Sequence, residues 1–242
     1  MGSFSYFRSA IGALGSALLE IIYPPTCIAC GQGDAWFCES CRLAVTRPLR
    51  GRCAKCGDFR SDDHECEGDW PFASVIVCGA YADPILRRLL TTFKYRSARC
   101  LLPELKDWLK AVRDNFLEPW PWAGLSAMTA TSIPGDEKRL RWRGQDHGAL
   151  LADAVRDIFA PWAERHHLLQ RRRAVLQNAL LPADATRQAN VHEAFAVTDR
   201  LTDPVLLVDD VLTTSATAGE AARVLLAAGA PAVHLFVLAS GK

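Results

Sequence analysis

From about position 75 onward, short apolar runs alternate with stretches whose apolar residues recur every three or four positions. Residues 75–78, 127–133, 194–197, 205–208 and 232–238 read as strands, the second stopped by Pro134-Gly135. Between them, 84–93 (Ile85, Leu86, Leu89, Leu90, Phe93) and 103–116 (Leu105, Trp108, Leu109, Val112, Phe116) read as helices opening at proline, whose missing N–H is tolerated in a first turn. Positions 148–162 carry Leu151, Ala154, Val155, Ile158 and Phe159 on one helical stripe, and a helix over 216–228 is closed by Gly229. Strands alternating with helices predict an α/β protein whose mostly parallel sheet is covered on both faces.

The N-terminal stretch has a different pattern. Ile11, Leu14, Leu18, Ile21 and Ile22 lie at helical spacing and predict an amphipathic helix packed on the rest of the protein. Glu20 interrupts the run, and Tyr23-Pro24-Pro25 stands where a secretory signal needs small residues. The polar face of that helix is poor in Lys and Arg, which disfavours a membrane-surface role. No stretch of about 18 residues is apolar and uncharged, so no integral membrane association and a cytoplasmic location are expected. Half of the 242 residues are apolar, too many for intrinsic disorder. The 28 basic and 27 acidic residues nearly cancel, so overall charge gives no argument for nucleic-acid binding.

Nine cysteines change the picture, because seven of them lie between positions 27 and 66 and only Cys78 and Cys100 lie beyond. In a reduced compartment such clustering points to metal, not to disulfides. Cys27-x2-Cys30 and Cys38-x2-Cys41 form two knuckles, each turning two thiolates toward one tetrahedral ion, with Gly31 permitting the first turn. These two knuckles are the leading zinc set; a second set, Cys53, Cys56 and Cys66, needs His64 or Asp63 as its fourth ligand, and spacing also permits an interleaved pairing of the first and third knuckles. A zinc ion with four protein ligands has no open position, so this module is expected to staple the fold or dock a partner.

The chemistry is expected elsewhere, in the segment 204–217, Pro-Val-Leu-Leu-Val-Asp-Asp-Val-Leu-Thr-Thr-Ser-Ala-Thr. An apolar strand delivers Asp209 and Asp210 to its carboxyl end, where open α/β sheets bind ligands. Thr213, Thr214, Ser215, Ala216 and Thr217 then open a helix whose N–H groups and dipole favour a phosphate. Carboxylates accept hydrogen bonds from sugar hydroxyls, so the unit suits a ribose 5-phosphate. A strand that merely ends in acidic residues before a threonine helix cap, and a divalent-metal aspartate pair without a sugar, are the competing readings.

At these residues the chain resembles the type I phosphoribosyltransferases, whose signature runs four apolar residues, two acids, an apolar pair and Thr-Thr-Gly-x-Thr. Ser215 stands where glycine is usual. Along nearly its whole length the chain is similar to the ComF family of competence and DNA-utilisation proteins. The similarity covers an N-terminal helix (1–25), a double zinc-ribbon module (26–70) and a phosphoribosyltransferase domain (71–242). Phe93-Lys94-Tyr95-Arg96 matches the family's Lys-Tyr segment. Ile133-Pro134 and the basic stretch to Arg143, followed by Gly144, Gln145, Asp146 and His147, match its Arg-Gly-Phe-Asn-Gln region, with Gln-Asp-His in place of Phe-Asn-Gln. The Arg-x-x-Asn-Val stretch is present from Arg187, the element near 174–177 is blurred, and Asp63 replaces a zinc-ribbon cysteine.

The resemblance implies binding of phosphoribosyl pyrophosphate with Mg²⁺, phosphoribosyl transfer to an unidentified nitrogen acceptor, and a link to DNA uptake. Lys138, Arg139, Arg141 and Arg143 would then be the pyrophosphate-binding cover, a solvated basic face being the alternative. Arg171-Arg172-Arg173 reads first as a solvated basic face; the alternative function is a non-catalytic accessory protein of DNA uptake that binds single-stranded DNA along these three arginines, with Trp142 stacking on bases. Lys94 has no assignable step, His147 is a donor in the cover or a helix start, and His166-His167 reads as a helix end.

Overall fold

The computed structural model describes residues 24–45, 50–52, 70–95, 98–116, 119–136, 140–142, 144–172, 194–213 and 215–241. In chain order the elements are α1 (Glu39–Val45), β1 (Arg50–Arg52), β2 (Ser74–Val77), α2 (Pro84–Tyr95), α3 (Ala98–Asp114), β3 (Thr129–Ser132) and α4 (His147–Phe159). They continue with β4 (Glu164–Arg165), β5 (Gln170–Arg171), β6 (Phe195–Ala196), β7 (Val205–Leu212), α5 (Ala216–Ala227) and β8 (Val233–Ser240).

One sheet has the order β1-β2-β8-β7-β3-β4, and β5-β6 form a separate antiparallel pair. Five neighbouring strands, β2 to β4 in that order, run parallel, and only β1 lies antiparallel, on β2. This is the expected α/β architecture, and it is consistent with a phosphoribosyltransferase-type fold. The chain passes from β3 through α4 to β4 on one side, and from β7 through α5 to β8 on the other. The strand order therefore reverses between β3 and β7, the place where a parallel sheet opens a crevice for ligands.

Alternation along the strands divides the apolar residues into two layers. Ile76, Leu206, Val208, Phe236 and Leu238 face the layer that contains α2, α3 and α4. Val75, Val77, Val205, Leu207, Leu235 and Val237 face α5. Such two-sided burial is why these strands read as unbroken apolar runs. Cys27, Phe37, Cys41 and Val45 join the first layer, so the cysteine segment shares the core of the α/β body.

Several boundaries differ from those the sequence predicts. Helix α3 begins at Ala98, before Pro103, because burial of Leu101 and Leu105 outweighs the hydrogen bond lost at the proline. Helix α4 ends at Phe159 because Ala160, with φ −149°, precedes Pro161 and is pushed out of the helical region. His166-His167 is accordingly not a helix end: it follows β4, with His166 Nε2 paired to Glu164 Oε2 at 3.0 Å. Strand β7 runs on to Leu212, so Asp209 and Asp210 are themselves strand residues. The N-terminal helix expected over 11–22 lies outside the described residues.

Helix α5 ends in a Schellman turn: Ala230 N–H donates to Leu225 O at 3.2 Å and Gly229 N–H to Leu226 O at 3.0 Å. Gly229 has φ +108°, and a Cβ there would sit 2.7 Å from the carbonyl oxygen of Leu201. Gly229→Ala is therefore expected to destabilise the protein by about 1–3 kcal/mol, read as a lower denaturation midpoint with an unchanged m-value.

Candidate functional site

A cavity of about 210 Å³ opens at the reversal point. Ile133, Pro134 and Gly135 follow β3; Asp146, His147 and Gly148 begin α4; Asp209 to Leu212 end β7; Thr213 and Ser215 lead into α5, and Thr217 stands in its first turn. Two helix N-termini thus converge on one hollow, giving it positive potential suited to an anion. Asp146 caps α4 by accepting the Ala149 N–H at 3.0 Å, which holds that helix start against the pocket.

The acid pair forms the polar wall. Asp209 Oδ1 accepts the Asp210 N–H at 2.9 Å, which fixes the Asp209 carboxylate. Burial and the neighbouring Asp210 charge push the Asp209 carboxyl up to about 7, with the Asp210 N–H, Lys94 and Arg171 pulling against them. Lys94 Nζ lies 2.6 Å from Asp210 Oδ2, both side chains being about a quarter exposed. Burial alone would lower the Lys94 ammonium, but the Asp210 carboxylate more than offsets it and the net shift is upward. Lys94 comes from the last turn of α2 and was absent from the expected set of site residues. Its signal in the sequence is the match of Phe93-Lys94-Tyr95-Arg96 to the Lys-Tyr segment of the resembled family, which assigns it no step. Phe93 itself lines the cavity and meets the His147 ring edge-on at 5.7 Å.

Ser215 occupies the position where the resembled signature has glycine, and it adopts that residue's conformation, with φ +64° and ψ −10°. Its hydroxyl makes no capping bond to the helix. A left-handed non-glycine residue costs about 1–2 kcal/mol, part of which glycine would give back as unfolded-state entropy. Ser215→Gly is expected to raise stability by about 0.5–1 kcal/mol in equilibrium denaturation.

The basic residues are placed differently from one another. Arg171 lines the cavity, donates from Nε and Nη2 to Pro134 O at 3.3 and 3.2 Å, and lies over the Phe195 ring. The solvated-face expectation for the arginine run therefore fails at Arg171, while Arg172 is exposed as expected. Arg141 is exposed, beside the cavity residue Leu140. Lys138, Arg139, Arg143, Arg173 and Thr214 lie outside the described residues.

The second cluster is the metal site. The Sγ atoms of Cys27, Cys30, Cys38 and Cys41 all lie within 4.8 Å of one another. Tetrahedral zinc–sulfur bonds of about 2.3 Å require sulfur atoms about 3.8 Å apart. Cys30 and Cys38 sulfurs stand at 3.7 Å. The first knuckle is shaped by Gly31 (φ +78°), whose N–H donates to Cys27 O at 2.8 Å. Burial opposes ionisation of Cys27, but N–H groups of Cys30, Cys38 and Ala29 overcome it and bring the thiol down to about 6. Burial raises the Cys41 thiol, and neighbouring thiols add to the effect. Four thiols in one tetrahedron, one of them ready to ionise, form a zinc site.

Residues 18–82 match the double zinc ribbon domain family. The first half of the ribbon is thus described down to its sulfur positions. Its second set, Cys53, Cys56, His64 and Cys66, lies outside the described residues. The matched span also takes in β1 and β2, so the zinc ribbon segment reaches into the main sheet. Comparison with curated proteins gave no match.

Proposed function

We propose that the cavity binds phosphoribosyl pyrophosphate and that the protein transfers its phosphoribosyl group to a nitrogen acceptor. The observation that carries this reading is one hollow at the sheet reversal with two aspartates on one wall and a hydroxyl-rich helix start on another. The aspartates suit the ribose diol, and the N–H groups before α5 suit the 5-phosphate. The left-handed Ser215 supports the same assignment, because it shapes the loop as the signature's glycine would.

In the transfer, the bond from C1 to the pyrophosphate oxygen breaks and its electron pair leaves on pyrophosphate. The acceptor nitrogen forms the new bond to C1 and gives up a proton. Arg171, with the basic stretch 138–143, supplies positive charge for the departing diphosphate. Magnesium would neutralise the same group, and the carboxylate and hydroxyl donors present suit a hard cation. A role in DNA uptake belongs to this reading through the sequence resemblance.

Calorimetric titration of the zinc-loaded full chain with phosphoribosyl pyrophosphate and Mg²⁺ tests it. One saturable site per chain is expected, and absence of binding removes the proposal. One feature favours a second reading: Trp142 is 76% exposed beside Arg141, a pairing suited to stacking on an unpaired base. That reading requires salt-dependent binding of single-stranded DNA that weakens in Trp142→Ala.

A further inference from the structure

Lys94 joins two parts of the molecule. It comes from the C-terminal turn of α2, directly follows the cavity residue Phe93 and holds the cavity residue Asp210 at 2.6 Å. Asp210 is also one of the groups proposed above to accept the ribose hydroxyls. An ammonium and a sugar hydroxyl are both donors, and both compete for the same carboxylate oxygens. The adjoining Asp209 already takes the Asp210 N–H on one of its two oxygens. A diol hydroxyl that docks on Asp210 Oδ2 therefore competes with Lys94 for that oxygen.

We infer that Lys94 is an exchangeable counter-ion: it neutralises the acid pair in the empty pocket and passes to the diphosphate when the sugar docks. The inference rests on the phosphoribosyl pyrophosphate reading and goes beyond it by giving the pocket a built-in selection. A ligand that brings only the diol and the 5-phosphate must break the Lys94–Asp210 pair without replacing it. A ligand that also carries a diphosphate gives the released ammonium a new and more highly charged partner. Phe93, the residue before Lys94, packs against the His147 ring at the start of α4. The turn carrying the lysine is thereby anchored beside the pocket.

The test uses the full, zinc-loaded chain, with ribose 5-phosphate and phosphoribosyl pyrophosphate as two separate probes. In Lys94→Met, the affinity for ribose 5-phosphate should stay equal or rise, because no ion pair has to be broken. Affinity for phosphoribosyl pyrophosphate should fall by about tenfold or more, because a charge-assisted contact to the diphosphate is gone. Lys94→Arg, which keeps the charge, should restore the wild-type order of affinities. A merely structural lysine would weaken both probes together in Lys94→Met, and that parallel loss overturns the exchange. Unchanged binding of both probes overturns it too, while leaving the pocket assignment intact. If the wild-type protein binds neither probe, the function proposed above falls, and the exchange falls with it.

Discussion

Replacing Asp209 and Asp210 by asparagine together is expected to remove measurable binding of phosphoribosyl pyrophosphate. Hydrogen bonds to charged groups are worth about 1.5–3 kcal/mol each, so losing two of them weakens binding by about 10²–10⁴-fold. The Asp209 part of that substitution should not unfold the protein, and the physics predicts the opposite sign. Asp209 is held up to about 7 by burial and by Asp210, so its ionised form is disfavoured in the folded state. Between the ordinary carboxylate range and about pH 7, the native protein retains a proton that the unfolded chain has lost. Stability contributed by this group is therefore highest at low pH and declines as pH rises through that window. Asparagine at 209 removes that decline, so Asp209→Asn alone should melt at or above the wild-type temperature at pH 8, whereas the double variant also gives up the Lys94–Asp210 pair. Calorimetric binding beside a thermal melt checks both signs. A variant that binds as tightly as wild type would mean that the acid pair does not hold the ligand.

The same ionisation governs the wild-type protein. A carboxylate that accepts sugar hydroxyls acts best when charged, so ligand affinity should fall by about one decade per pH unit below about 7. In Asp209→Asn the residual binding should lose that slope. A slope retained by the variant would place the titrating group elsewhere.

The pair Asp209-Asp210 and the loop after it were legible in the linear sequence because both are local: an apolar strand, two acids and hydroxyl residues at a helix start need no long-range information. The first zinc knuckles were legible for the same reason, since four ligands lie within fifteen positions of one another. The parallel sheet followed from runs such as 205–208, which are apolar on both faces because helices cover both. Lys94 was not legible as a site residue. Nothing local connects the end of α2 with the end of β7, and only packing of α2 in the layer beside the sheet brings them together. Arg171 misled in the other direction. A run of three arginines looks solvated, yet the short β5-β6 pair places Phe195 beneath the first of them and Pro134 O beside it. The strained conformation of Ser215 was visible only as a departure from the resembled signature, since a single serine carries no mark of a positive φ.

Cys30→Ser is expected to lower the zinc content by one ion per chain, measured by metal analysis. Cys30 is the exposed corner of the cluster, so the substitution removes a ligand without opening a cavity in the core. Cys100→Ser, which alters an exposed thiol outside the cluster, should leave zinc content unchanged. Without the ion, the two knuckles have no common partner, and Cys41 is disfavoured as a thiolate by its burial. Helix α1 then loses its tether, and with it the burial of Phe37 and Val45 in the main core. Exposing a Phe and a Val costs about 3–6 kcal/mol together, which at about 2–4 °C per kcal/mol corresponds to a melting temperature lower by roughly 10 °C. Acidification should act like the substitution, because zinc holds thiolates and protons compete for them as pH falls. A zinc-depleted protein that melts unchanged would mean that the ion does not staple this fold. The pocket supplies the discriminating measurement. Helix α1 packs on α2 and α3 and pairs Arg42 with Asp107, whereas no cysteine of the cluster lines the cavity at the carboxyl ends of β3 and β7. Losing zinc should therefore weaken phosphoribosyl pyrophosphate binding by less than about tenfold, against the much larger loss in the double aspartate variant. Equal losses in the two variants would assign the ligand to the zinc ribbon instead of to the sheet.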